Sequence, residues 1–178
     1  MKTKYIFLFP LLLLILAQVT FAQPKTKDIL EFDSIKINGE IPLVTRKDKV
    51  IKLLGKPSKI VKVNQNTCIS YYFTETLFAE NYIYYGKTKF ESYGDTLVLT
   101  KMDFESTLNL FLKHPKILFN HDTTLKEFLK KFPSAISPSE KERGEILYQI
   151  SPSKNSSDFW YLYFKNGKLV RIEYWMPC

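Results

Sequence analysis

The sequence predicts an α+β fold, with two short helices packed on one face of an antiparallel sheet. Three observations predict it. Two short helix signatures, each closed by Gly or Pro, are separated by long aromatic and β-branched runs. Those runs alternate apolar and polar residues between turn pairs, the pattern of strands in hairpins. The order strand, helix, meander then recurs. The chain therefore reads as tandem helix-plus-antiparallel-meander repeats over 34–105 and 116–178, within a single α+β domain spanning 34–178.

The chain opens with Lys2 and Lys4, followed by an apolar run from Tyr5 to Ala17 and the tripeptide Thr20, Phe21, Ala22. A positive start, a short apolar run and a small-x-small site predict a signal peptide over 1–22, cut after Ala22. Pro10, Gln18 and Thr20 weaken the same stretch as a membrane span. No cysteine lies at the cut site, which speaks against a lipid anchor. The expected location is exported, periplasmic or extracellular. Residues 23–33 are polar and expected to be loose. No second long apolar run follows, so no stable membrane insertion is expected after cleavage.

Ser34 to Asn38 alternates around Ile35 and Ile37 and ends at the turn pair Asn38-Gly39. Thr45 followed by Asp48 reads as a helix start, because each side chain can satisfy a free backbone N–H. Val50, Leu53 and Leu54 then share a face, and Gly55 and Pro57 stop the helix, giving a span of about 46–54. Strands follow over Cys68 to Phe73, Tyr82 to Tyr85, Lys89 to Ser92 and Thr96 to Phe104, with a turn at Tyr93-Gly94-Asp95. Leu108 to Leu112 and Ile117 to Phe119 are separated by His114-Pro115, which reads as an exposed turn. Ile117 to Asn120 then echoes Ile35 to Asn38. Thr124 with Glu127 is a second capping signature, Phe128-Leu129 and Phe132 echo Val50-Ile51 and Leu54, and Pro133 ends the helix. Ser134 to Gly144 reads as a polar loop. Glu145 to Ile150, Phe159 to Phe164 and Lys168 to Trp175 read as strands. Asn166-Gly167 between two of them is a strong hairpin signal, since a type I′ turn needs positive φ twice.

The formal net charge is +8, and loss of Lys2 and Lys4 with the leader takes it to +6. The basic residues are nearly all scattered Lys, with Arg only at 46, 143 and 171, so nucleic acid is not an expected partner. Cys68 and Cys178 are an even pair in an oxidising compartment. They read either as a disulfide tying the C-terminus to mid-chain or as two separate thiols. The two histidines, His114 and His121, lack the spacing of a metal site, and no metal or other cofactor is expected. No nucleophile elbow, zinc-protease helix or phosphate-binding glycine loop is present, so no catalytic residue is assigned. Asp103 and Glu105 lie close in sequence, but a solvated ion pair explains Asp103 beside Lys101. The mixed run Glu140 to Glu145 reads as a solvated loop.

A helix ending in Val50-Ile-Lys-Leu-Leu-Gly-Lys-Pro57, a meander, and the same order again resembles the fold of the β-lactamase inhibitor protein. That fold is also seen, as a single repeat, in a small outer-membrane assembly lipoprotein. The resemblance covers about 34–178 by the repeat logic. It implies a continuous sheet, helices on one face, and an open face that binds a partner. This chain lacks the lipoprotein's cysteine at the cut site and any recognisable partner-binding motif of the inhibitor, so no functional residue is carried over.

Alternation in the aromatic strands identifies the face that would do the binding. Trp160, Leu162 and Phe164 share one side, with Phe159, Tyr161 and Tyr163 on the other. In the last strand Val170, Ile172 and Tyr174 oppose Arg171, Glu173 and Trp175, whose charges mark a wet face. The candidate partner-binding residues are Tyr72, Tyr161, Tyr163, Arg171 and Trp175, of types enriched at interface hot spots. The same rings also suit cross-strand packing that only stabilises the sheet. The expected function is an exported, non-enzymatic binding or structural protein of the cell envelope, its partner an envelope or secreted protein. The alternatives are an envelope-polymer hydrolase using carboxylates not paired in sequence, and a carrier of a small apolar ligand.

Overall fold

The computed structural model describes residues 28–63, 79–105, 109–141 and 144–176. It has the α+β architecture: two short helices packed on a mostly antiparallel sheet. A hairpin of β1 (Lys36–Ile37) and β2 (Ile41–Pro42) leads through β3 (Val44–Arg46) into α1 (Lys47–Leu54). The strands β4 (Lys59–Lys62), β5 (Asn81–Tyr85), β6 (Thr88–Tyr93) and β7 (Thr96–Asp103) follow. A second hairpin, β8 (Leu112–His114) and β9 (Ile117–Phe119), leads into α2 (Leu125–Lys131). The chain ends on β10 (Ile136–Lys141), β11 (Glu145–Ile150), β12 (Phe159–Lys165) and β13 (Lys168–Trp175).

The large sheet runs β10-β11-β12-β13-β7-β6-β5-β4, with β3 paired to β7, and the small sheet runs β2-β1-β8-β9. The last strands of the two meanders therefore lie side by side. Their register sets Arg171 against Asp103, Ile172 against Met102 and Glu173 against Lys101. Among the described residues no helix is long and apolar enough to cross a membrane.

One continuous apolar cluster lies between the helices, the small sheet and one face of the large sheet. Phe128 anchors α2 there, with ring centroids 5.4 Å from Phe132, 5.4 Å from Phe164 and 5.8 Å from Tyr148. From α1 only Val50 is fully buried, with Leu54 packed partly beneath it. The second capping signature is as read: Thr124 accepts a hydrogen bond from Glu127 N at 3.1 Å. The first is not. Arg46 takes the N-cap position without a side-chain cap bond, and Thr45 is buried in β3 against Leu97. Asp48 instead faces Arg46 at 3.1 Å. Gly55 (φ +77°) ends α1 as expected, and Asn166 (φ +51°) with Gly167 (φ +74°) forms the β12–β13 turn.

Four local expectations are corrected. Residues 28–33, expected to be loose, are docked. Leu30 and Phe32 are buried, Phe32 stacks on Trp160 at 5.3 Å, and Trp160 Nε1 donates to Leu30 O at 2.9 Å. Asp28 Oδ2 accepts from both Ser134 N (2.7 Å) and Ser134 Oγ (2.8 Å). Two apolar residues in a polar stretch suffice when a tryptophan face awaits them. Most of the polar loop 134–144 is the edge strand β10, paired to β11 with a register shift between Ile136 and Ser139. Pro138 falls in that irregularity, on an outer strand, where a missing N–H costs nothing. His114 is buried in β8 instead of lying in an exposed turn. Its ring is 5.8 Å from Phe132, and its Nδ1 accepts from Lys116 N at 3.2 Å. Burial lowers its pKa, and the Lys116 charge adds to that. Asp103 is also buried, not solvated, and its Oδ1 accepts from Glu105 N at 3.1 Å. The strand read over Cys68 to Phe73 lies outside the described residues.

Phe128 joins α2 to the sheet, so Phe128→Ala is expected to cost about 3–5 kcal/mol, the range for emptying a buried aromatic site. Urea unfolding of the two proteins checks this, and a loss below about 1 kcal/mol would contradict the packing.

Candidate binding face

Strand β12 separates two environments. Trp160, Leu162 and Phe164 point into the main core, while Tyr161 and Tyr163 join a separate small cluster with Leu147 and Val170. Register fixes the second face residue by residue. Tyr163 is opposite Leu147 on β11 and Arg171 on β13, Tyr161 is opposite Gln149 and Glu173, and Phe159 is opposite Trp175. The structure thus brings Tyr161, Tyr163, Arg171 and Trp175 onto one face of two adjacent strands. Tyr72, Cys68 and Cys178 lie outside the described residues.

At the end of this face three rings lie nearly parallel. Tyr161 and Trp175 are 5.6 Å apart at 18°, Phe159 and Trp175 6.2 Å at 28°, and Phe159 and Tyr161 6.5 Å at 11°. Trp175 is 41% exposed, while Trp160 on the opposite face is 1% exposed. Ile136 is opposite Gln149, in the same row as Tyr161, and is also exposed.

Beside the rings lies a charge network centred on Glu173. Its Oε1 is 3.2 Å from Lys101 Nζ and 3.2 Å from Arg171 Nε. The Arg171 Nε contact is an ion pair without hydrogen-bond alignment. Glu173 Oε2 accepts from Tyr163 Oη at 3.0 Å, and Arg171 Nη2 donates to Glu145 Oε2 at 3.1 Å. The guanidinium carbon of Arg171 is 3.8 Å from the Tyr163 ring centre, a cation–π distance. On β6 the pattern continues, with Lys89 Nζ 3.5 Å from Glu91 Oε1 and 4.6 Å from the centre of the Tyr82 ring.

Electrostatics follow from this packing. Burial pushes the Tyr163 phenol up to about 12, and the neighbouring Glu173 charge adds to it. Burial alone would lower the Arg171 pKa, but the charges of Glu173 and Glu145 outweigh it and the net shift is upward. Tyr163 is buried, with Arg171 over its ring, and forms the floor of the face. Trp175 and Tyr161 are the parts a partner would reach.

Alternation alone places Phe159 on this face, although the hot-spot types Tyr, Trp and Arg leave it outside the candidate set. Glu145 and Lys101 were missed because their roles depend on cross-strand register. The signal available was Arg171-Ile-Glu173, a charge pair two residues apart on one strand face.

Elsewhere, two surface grooves of about 600 and 670 Å³ occur among the described residues, both open to solvent. The first is lined by Phe104, Glu105, His121 and Lys168, the second by Glu40, Lys113, His114 and Lys116, among others. One carboxylate residue lines each. Among the described residues no three His, Cys, Asp or Glu side chains gather as a ligand set. His121 is exposed and lies 3.2 Å from Asp122. Comparison with protein-family models, with characterised proteins and with solved structures finds no match to this chain.

The folded-state pKa of Tyr163 is raised above the unfolded value near 10. The stabilisation linked to its proton is then fully present below pH ~10 and is lost as pH rises through about 12. Urea midpoints measured between pH 9 and 12 are expected to fall more steeply for the wild type than for Tyr163→Phe. Parallel curves would contradict the burial of this hydroxyl.

Proposed function

We propose that this chain is an exported, non-enzymatic protein of the cell envelope that holds a partner protein on the face formed by β12 and β13. The observation that carries the reading is the Phe159, Tyr161 and Trp175 ring cluster, part-exposed on a face whose neighbouring charges are already satisfied among themselves. A charge network that is internally paired asks little of a partner, and it holds the rings in position. Large amphipathic rings then offer contact area at low entropic cost, as hot-spot residues do. The rigid sheet beneath supports the same reading, since a pre-organised face loses little freedom on binding.

The arrangement of a continuous sheet with helices on one face is in keeping with the β-lactamase inhibitor protein-like fold that the sequence resembles, and we take that fold as part of the proposal. Export rests on the leader pattern over 1–22. Mass spectrometry of protein recovered from producing cells is expected to find a chain beginning at Gln23. A chain retaining Met1 would contradict cleavage.

The binding test immobilises residues 23–178 and passes a native envelope extract over wild type and Trp175→Ala. Trp175 is exposed and should be replaceable without unfolding, which a thermal melt verifies. A single protein retained by wild type and held about 30-fold more weakly by the variant is expected, the size of a hot-spot loss. Equal retention by both folded forms would move the binding site off this face.

A further inference from the structure

The positive charge of the chain is gathered in one place. Residues 47–62, which are α1, the turn after it and β4, hold six lysines and one aspartate. Their net charge is +5, against +6 for the whole of 23–178. The aspartate is already engaged, since Asp48 faces Arg46 at 3.1 Å. Among the described residues none of Lys47, Lys49, Lys52, Lys56, Lys59 and Lys62 is in an ion pair. On the open face of the large sheet the cations are partnered instead. Lys89 meets Glu91, Lys101 meets Glu173, and Arg171 meets Glu145 and Glu173. The corner formed by α1 and β4 is therefore where the molecule presents uncompensated charge.

The same corner is apolar at its surface. Val50 and Leu54 turn inward to the core, which leaves Ile51 and Leu53 exposed on the two flanks of the helix. Ile60 is opposite the buried Ile83, so it lies on the helix side of the sheet. Because β4 is the last strand, Ile60 has no neighbour beyond it among the described strands and is 55% exposed. The composition of 47–62 also says what kind of surface this is, for it contains no aromatic residue and no arginine. Protein interfaces are enriched in both and depleted in lysine. Lysine is a compact point charge on a long apolar stem, which suits a diffuse layer of phosphates. Aliphatic side chains set among such lysines suit the acyl boundary beneath that layer.

We propose that the corner formed by α1 and β4 docks on an anionic phospholipid membrane. Its lysines meet the headgroup phosphates, and Ile51, Leu53 and Ile60 rest at the acyl boundary. The contact lies on the membrane and is reversible, as for other interfacial basic helices. It also orients the molecule. α1 packs on the side of the sheet that carries Trp160 and Phe164, while Tyr161 lies on the reverse, stacked with Trp175. A chain held by α1 therefore turns Trp175 away from the lipid, towards a partner. That orientation matters only if the proposed binding face is right; the lipid contact stands without it.

The test is co-flotation of residues 23–178, freed of the leader so that its apolar run cannot bind lipid. The vesicles are phosphatidylcholine alone, or phosphatidylcholine mixed equally with phosphatidylserine. Binding is expected to the anionic vesicles only. Lys49→Gln/Lys52→Gln/Lys56→Gln should weaken it about 100-fold, about fivefold for each charge removed. Ile60→Ser should weaken it about fivefold. Removing the same charge elsewhere, with Lys36→Gln/Lys113→Gln/Lys154→Gln, should weaken it about twofold at most, since distant exposed charges are screened. All these positions are exposed, and thermal melts verify that the variants stay folded. Equal binding to both kinds of vesicle, the absence of either loss, or an equal loss in the second triple variant would each overturn the proposal. Capture on immobilised polyglutamate without binding to anionic vesicles would overturn it in favour of an acidic protein partner.

Discussion

The pairing of β7 with β13 is the constraint on which the rest of the structure depends. Three register pairs turn two meanders into one large sheet, and they do so between strands far apart in sequence. Closing such a long loop carries an entropic cost before any contact forms, so the seam needs compensation. Met102 and Ile172 supply it on the core side, where both are buried. Lys101, Glu173 and Arg171 supply direction on the other side, because a one-residue slip would set charged residues against apolar ones and turn the apolar face outward, and a two-residue slip would set Lys101 against Arg171 or Asp103 against Glu173. The helices then have a single broad surface to cover, and Phe128 and Val50 reach one shared core.

The same seam explains why the opposite face of β12 and β13 is polar at its centre and aromatic at its end. Glu173 is held from three directions, by Lys101, Arg171 and Tyr163. Fixing Glu173 fixes the Arg171 guanidinium over the Tyr163 ring, and so fills the middle of the face. Apolar area is left over only at the end, around Phe159, Tyr161 and Trp175. These rings support one another as cross-strand neighbours, so stabilising the sheet and offering a contact surface are not exclusive roles.

Much of this was legible in the sequence, for physical reasons. Helix ends and tight turns are decided within a few residues, so Thr124, Gly55 and Asn166-Gly167 could be read directly. Strand alternation has period two, which sorted Tyr161, Tyr163, Arg171 and Trp175 onto one face. What was not legible depended on distant partners. Leu30 and Phe32 look like stray apolar residues in the polar segment 23–33 until Trp160 covers them. The Ile136 to Lys141 segment is a strand because β11 offers it an edge, not because its composition favours one. His114 is buried because Phe132 lies against it, and Asp103 because it falls on the seam. Alternation makes Tyr163 a contact candidate, yet register places it beneath Arg171, where little of it is exposed.

The two tryptophans make the central claim directly measurable, since Trp160 is 1% exposed and Trp175 is 41% exposed. Acrylamide quenching of intrinsic fluorescence should resolve one accessible and one shielded indole in the free protein. Adding the captured partner should shield the accessible one. That result would place the partner on the β12–β13 face. An accessible indole whose quenching the bound partner leaves unchanged would contradict the account and send the search for the binding site to another surface.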